Sequence, residues 1–263
     1  MNELEHCEQI TISLIGGPTA LLELGGIRLL TDPTLDPPGH FEGPGGFESE
    51  KLTGPDPALS ADLGDIDAVL ISHDQHFDNL DTGGRALLNE VPLVLTTLEG
   101  AGRLGGTSRG LAPFESTEIG AGAMSVTAVP ARHGPEGAEE LMGPVTGFWL
   151  SGPDLPSVYI SGDNASLELV EEIRAHLGPP DVALLYGGGV VKPGIFDGDL
   201  MTMNGERIAA ATRILEPKAL VPLHDEGWAH YAERPEAITE AIAEAGLLEG
   251  LHLLKPGEVT TAP

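Results

Sequence analysis

Several apolar runs in this 263-residue chain end in residues that bind metals or move protons. His73-Asp74-Gln75-His76-Phe77-Asp78-Asn79 follows residues 65–72, His133 follows 124–129, Asp163 follows 157–160 and His224 follows 219–222. Imidazole and carboxylate donors without thiolate favour zinc, manganese or iron over a soft-metal site. A lone histidine is more often an ordinary core or surface residue. Loops at strand ends, however, gather on one edge of layered sheets, where several donors can meet. Hydrolysis is among the chemistries open to such a set, because a divalent ion lowers the pKa of bound water from about 15.7 to about 7 and makes hydroxide available at neutral pH. Asp78 is then the candidate to orient or deprotonate that water, with helix capping as its bland alternative. Asp163, after Gly162, is either a ligand or a plain turn residue.

The runs themselves define the elements that must carry these groups. Residues 10–15, 19–24 and 27–30 are short, β-branched and separated by Gly-rich breaks, which predicts an antiparallel meander. Strands are also expected over 65–72, 93–97, 124–129, 145–150, 157–160, 182–185 and 219–222. Helical spacing covers 80–89, 166–177, 204–215 and 235–245. Residues 33–57 are rich in Gly and Pro, show no periodicity and are predicted to be a long functional loop. Strands come first in runs and later alternate with helices, which implies helices layered on mixed sheets in one domain over 1–263.

Composition narrows the partners. Thirteen Lys+Arg against 41 Asp+Glu give a net charge of −28 and a pI near 4.4. Nucleic acid and anionic membrane surfaces are disfavoured, since both are bound mainly by Lys and Arg. With 41% hydrophobic residues and a mean hydropathy of +0.02, the chain has the apolar surface to fold. Cys7 alone forms no internal disulfide, and the acidic start lacks a signal-peptide pattern, so a cytoplasmic location is expected. The expected partner is a small molecule, anionic if a cation in the site reverses the local field. Self-association is left open.

The cluster 73–81 resembles the HxHxDH motif of the metallo-β-lactamase fold hydrolases. Later segments are similar to that family's motifs in the same order: Val129-Pro130-Ala131-Arg132-His133, Tyr159-Ile160-Ser161-Gly162-Asp163 and Leu220-Val221-Pro222-Leu223-His224. Leu29-Leu30-Thr31-Asp32-Pro33 is similar to its early turn. Within that family the chain most resembles the branch that contains L-ascorbate-6-phosphate lactonase and N-acyl-phosphatidylethanolamine phospholipase D. The resemblance implies an αββα four-layer sandwich of two mixed sheets, with the site at one sheet edge. It also implies two metal positions: cluster histidines with His133 at the first, Asp78 with His224 at the second, and Asp163 shared.

The chain departs from the motif in two places. Two residues separate His73 from His76 where the family has one, so either His73 or Asp74 is the first ligand. Asn79 stands where the last histidine belongs, and its amide oxygen is a poorer ligand than imidazole. The expectation is one firmly held ion, zinc before manganese or iron, with the second position weak or absent. Around it, Asp32 is a candidate partner for a ligand histidine, and His230 a candidate to act one shell out. Tyr186 and the loop Gly187-Gly188-Gly189 are candidates for substrate contact. Lys192, one of four lysines, is the candidate anchor for a phosphate or carboxylate.

The implied activity is hydrolysis of an ester-like bond, a lactone or phosphodiester. Two rivals compete. Gly106-Thr107-Ser108-Arg109-Gly110 matches GxSxG, but a nucleophile elbow needs a strand before the serine and a helix after it. The other is a non-enzymatic or impaired metal-binding protein on the same fold, since fold does not guarantee activity.

Overall fold

The computed structural model describes residues 9–43, 46–192, 194 and 196–263; Cys7 and the acidic start lie outside them. The first part of the chain forms β1 (Ile10–Gly16), β2 (Thr19–Leu24), β3 (Ile27–Thr31), β4 (Gly39–Glu42), β5 (Glu48–Lys51), α1 (Pro57–Ala61) and β6 (Ala68–Leu70). Next come α2 (Thr82–Leu87), β7 (Val94–Thr96), α3 (Leu98–Leu104), β8 (Ser108–Gly110), β9 (Ser116–Ile119) and β10 (Met124–Ala131). The second part forms α4 (Glu139–Met142), β11 (Val145–Ser151), β12 (Val158–Ile160), α5 (Leu167–Leu177) and β13 (Val182–Tyr186). It closes with α6 (Gly205–Leu215), β14 (Ala219–Leu223), α7 (Pro235–Glu244) and β15 (Val259–Ala262).

Two mixed sheets result, ordered β15-β1-β2-β3-β6-β7-β8 and β14-β13-β12-β11-β10-β9. The opening meander pairs antiparallel as its spacing predicts, and Gly25-Gly26, both at positive φ, make the two-residue turn between β2 and β3. Alternate residues of the apolar runs point to opposite faces. Ile10, Ile12, Leu22, Leu29 and Leu70 meet Val126, Phe148, Ile160, Leu184 and Val221 between the sheets. Leu21, Leu30 and Val69 face outward, toward partly buried Leu59, Leu87 and Leu104 on α1, α2 and α3. On the other outer face Tyr159, Ala183 and Leu185 pack against α5, α6 and α7 through Ile173, Ile208 and Ile238. Both sheets are covered on both faces, which is why their strands read as nearly unbroken hydrophobic runs. The layering is αββα.

The segment 33–57 is not the structureless loop its composition predicts. It contains the hairpin β4–β5, in register from Gly39 opposite Lys51 to Glu42 opposite Glu48. In β5 the two buried positions are Ser49 and Lys51, both polar, so the alternation leaves no trace in a hydropathy pattern. Phe41 and Phe47 tie the hairpin to Phe77 and Trp228. The predicted helix 80–89 is shorter, Thr82–Leu87, and its cap is Asp81, whose side chain accepts from Gly84 N; Asp78 is not the cap. Ser108 opens β8, with α3 before it and no helix directly after, so the GxSxG segment lacks the elbow its chemistry needs. No helix among the described residues is long and apolar enough to cross a membrane.

Candidate metal centre

Four strand ends deliver the site. β12, β13 and β14 run parallel, and β10 shares their direction because it is antiparallel to β11, itself antiparallel to β12. His133, Asp163 and His224 therefore emerge at one end of the second sheet. The loop after β6 brings the cluster across from the first sheet, and Thr146 N donates to Ser72 O at 3.0 Å to join the two. Gly162 makes the approach possible: it sits at φ +56, and a Cβ there would lie 2.7 Å from Thr146 O and 2.8 Å from Ser72 Cβ. His224 itself has φ +57, a conformation costly for a side chain this size, and its N–H donates to Gly17 O at 3.0 Å.

His73, His76, His133 and Asp163 place one ligand atom each within 4.8 Å of one another. His73 Nε2 lies 2.9 Å from His76 Nδ1, and Asp163 Oδ2 lies 3.9 Å from His73 Nε2 and 3.8 Å from His133 Nδ1. The other ring atoms are spoken for. His133 Nδ1 donates to Met201 O at 2.8 Å, which leaves Nε2 with a free lone pair. Ser72 Oγ donates to Asp32 Oδ1 at 3.1 Å and so accepts from His73 Nδ1 at 3.0 Å, leaving His73 Nε2 as the ligating atom. Asp32 thus acts on His73 through Ser72, which directly precedes it and carries no motif signal of its own. Three neutral imidazoles and a carboxylate are the donor set of a zinc-type ion, and the cluster fits one.

Of the two candidates for the first ligand, only His73 faces this cluster. Asp74 is turned away: Arg103 Nε donates to its Oδ2 at 2.9 Å, and its backbone oxygen accepts from Arg85. The extra residue between His73 and His76 is absorbed by that outward turn. Beside the cluster stands a second group. Asp78 Oδ2 lies 3.6 Å from His224 Nε2 and 3.0 Å from His230 Nε2, while Asp163 Oδ1 lies 3.4 Å from His224 Nδ1. Asn79 turns its amide nitrogen toward Asp163 Oδ1, at 3.2 Å, and so acts as a donor to that carboxylate.

Burial controls the charges. It pushes the His133 and His224 imidazoles down to about 4 and His73 well below the usual histidine range, so all three are neutral at pH 7. It pushes the Asp163 carboxyl up to about 6, against the pull of His133. Burial also works to raise Asp78, but the His230 hydrogen bond and the cluster of imidazoles around it outweigh it and hold that carboxyl below the usual range.

Above the cluster is a cavity of about 350 Å³ with His76, Asp78, His133, Asp163 and His230 among its lining. Its other walls are largely apolar, with Phe47, Phe77, Met142 and Val190, together with Lys192, whose Nζ sits 5.3 Å over the Phe47 ring. Tyr186 and the glycines 187–189 are not on that wall. Tyr186 is fully buried in β13 with its ring 5.4 Å from that of His224, because the alternation of β13 points it into the core; it supports the site and is not positioned for substrate contact. Phe47 was out of reach of sequence reasoning, since the strand register that brings it here lies in a segment without periodicity.

The profile of a family described as "Beta-lactamase superfamily domain" matches residues 27–224. A UPF0173 metal-dependent hydrolase of Methanopyrus kandleri is 27% identical over 255 residues, 94% of this chain and 97% of that protein. Among solved structures, a possible metal-dependent hydrolase from Veillonella parvula superposes with a TM-score of 0.81 at 19% identity, covering 96% of this chain and 99% of the other. An isothiocyanate hydrolase from Delia radicum gut bacteria has the same TM-score and coverage at 20% identity. These two likenesses concern the fold.

Proposed function

The chain belongs to the beta-lactamase superfamily domain family, and on that premise we propose that it is a metal-dependent hydrolase of an ester-like bond, a lactone or phosphodiester, in a small molecule. One observation carries the reading: His73, His76, His133 and Asp163 converge within 4.8 Å, and three of them, His76, His133 and Asp163, line a cavity of about 350 Å³. The proposed ion is Zn2+, with Mn2+ or Fe2+ as alternatives; when bound, it activates water and polarises the scissile carbonyl or phosphoryl oxygen.

The rest of the work falls to the chain. Asp78, held as a carboxylate by its histidine neighbours, orients the attacking water and takes its proton. Asn79 Nδ2 fixes the rotamer of Asp163, so that its other oxygen stays toward His73 and His133. The apolar walls exclude bulk water and select a compact, partly apolar substrate. Lys192 binds an anionic group at the rim. The overall charge of −28 works against polyanions, whereas a small anion reaching Lys192 and the ion meets locally positive groups.

The test is metal analysis of the purified protein, followed by a screen of lactones, phosphomonoesters and phosphodiesters with Asp163→Ala as control. Chelator-sensitive turnover lost in Asp163→Ala is expected. Equal rates in that variant would sink the mechanism, and metal-dependent melting with no turnover on any substrate would favour the non-enzymatic reading.

A further inference from the structure

We infer that the substrate is an amphiphilic carboxylic ester or lactone, whose scissile carbonyl separates an aliphatic arm from a single carboxylate, and that Met142, Met201 and Lys192 select it. This class, which rests on the hydrolase reading above, narrows the ester-like bond to an acyl ester. Two apolar walls flank the candidate cluster, and they differ in chemistry. On the Asp78 side the wall is aromatic: Phe47 stacks on Phe77 with centroids 5.5 Å apart, and both rings stand edge-on to His230, at 5.2 and 6.4 Å. On the His133 side it is thioether. Met142 and Met201 pack with Ala138, and Met201 O accepts from His133 Nδ1 at 2.8 Å. Gly134 lets that wall come close, since a Cβ there would lie 2.8 Å from Met201 Cε. Val190 packs against both groups.

The cationic side chain of the cavity belongs to the aromatic wall. Lys192 Nζ rests 5.3 Å over the Phe47 ring, and among the described residues no carboxylate pairs with it. In a chain with 41 Asp+Glu against 13 Lys+Arg, a cation left to an aromatic ring beside a cavity is available to a ligand's anion. Among the described residues no arginine lines the cavity. A lone lysine is a point charge suited to a carboxylate, whereas planar, bidentate recognition of phosphate calls for the forked donors of arginine. The thioether wall is uncharged and suits methylene groups, to which flexible, polarisable methionine adapts. At ~30 Å³ for each water-sized atom, the cavity of about 350 Å³ admits about a dozen heavy atoms, a carboxylate of about ten carbons. Hydrolysis adds water across the acyl C–O bond, which breaks to give a carboxylate, a proton and an alcohol.

Binding decides the matter without turnover. Zn2+-loaded protein is titrated calorimetrically with straight-chain carboxylates from butanoate to dodecanoate, with the matching primary alcohols and with alkyl phosphates. The proteins are wild type, Lys192→Met, Met142→Ala and Met142→Phe. Wild-type affinity for carboxylates is expected to rise about fourfold per methylene up to about ten carbons and then fall. Met142→Ala moves that optimum to longer chains and Met142→Phe to shorter ones, opposite shifts that a misfolded variant cannot give. Lys192→Met weakens carboxylates about tenfold or more and leaves the alcohols unchanged. Carboxylate affinity untouched by Lys192→Met, a length profile untouched by both Met142 variants, or tighter binding of alkyl phosphates than of carboxylates overturns the inference. Chelator-sensitive hydrolysis of phosphodiesters without carboxylate binding likewise removes this substrate class and keeps the hydrolase. Carboxylate binding with the expected profile in a protein that cleaves no ester ends the hydrolase reading and leaves selection by the three residues standing.

Discussion

Lys51 Nζ lies 3.1 Å from Asp81 Oδ2, and both side chains are almost entirely shut off from solvent. The pair joins β5 of the hairpin to the cap of α2, the helix that follows the metal motif, and Lys51 also donates to Thr34 O and Asp36 O at 3.0 and 2.8 Å. Replacing Lys51 by Met leaves a buried carboxylate without its cation, which typically costs about 3–5 kcal/mol. Asp81 keeps the N–H groups of Leu35, Asp36 and Gly84, so the lower end, about 3 kcal/mol, is expected by urea denaturation. Unchanged stability would mean that the pair does not hold the hairpin.

The relay from Asp32 through Ser72 to His73 sets the tautomer of one candidate ligand. Ser72→Ala removes it without touching a ligand atom. Metal affinity is expected to fall about 10–100-fold, read by competition with a chelator. An unaltered affinity would show that His73 is oriented by packing alone.

Asp74 and His73 should separate cleanly. Asp74→Asn loses an ion pair whose Arg103 side chain is 44% exposed, so a cost of about 0.2–1 kcal/mol and undisturbed metal binding are expected. His73→Ala should abolish tight binding. Weakened binding in Asp74→Asn would restore Asp74 as the ligand.

Metal uptake has a predictable pH profile. Protons compete for the ligand atoms, so affinity is present above the folded pKa of each ligand and lost as pH falls through it. With Asp163 at about 6 and His133 near 4, affinity should be level from pH 7.5 to 6.5, then fall about tenfold per unit below pH 6 and more steeply near 4. Ordinary histidines would already weaken the site at 6.5. Calorimetric Zn2+ titrations at pH 7.5, 6.5, 5.5 and 4.5 distinguish the two profiles.

Gly162→Ala places a methyl group 2.7 Å from Thr146 O in a left-handed conformation. Strain of about 1–3 kcal/mol together with displacement of Asp163 is expected, so melting temperature and metal affinity should drop in parallel. A variant with lowered stability but full affinity would show that the backbone yields on the Thr146 side.

How much of this was legible depended on where each signal resides. The apolar runs announced the strands because each is buried on both faces, and the candidate donors His73, His76, His133, Asp163 and His224 could be picked out from their place at run ends. The caps of α5 and α6, Ser166 and Asn204, followed from local backbone chemistry. The hairpin β4–β5 was not legible, since its buried alternate residues are Ser49 and Lys51, nor was the part taken by Tyr186, whose direction is set by strand register. The choice between His73 and Asp74 was beyond spacing alone, because it turns on Arg103, a partner 29 residues away.

Residue types and their order along the chain determined the donor chemistry, the family and the layered fold, because burial on a sheet and ligation of a metal both act through local pattern. Only the tertiary structure decided which donors share a point in space. Asp74 left the site for Arg103, Asn79 became a donor to Asp163, and His230 reached Asp78 from a distant loop because Ser49 and Phe47 hold it there. Such contacts arise when separate strand ends are folded to one edge, and no short window of sequence contains both partners.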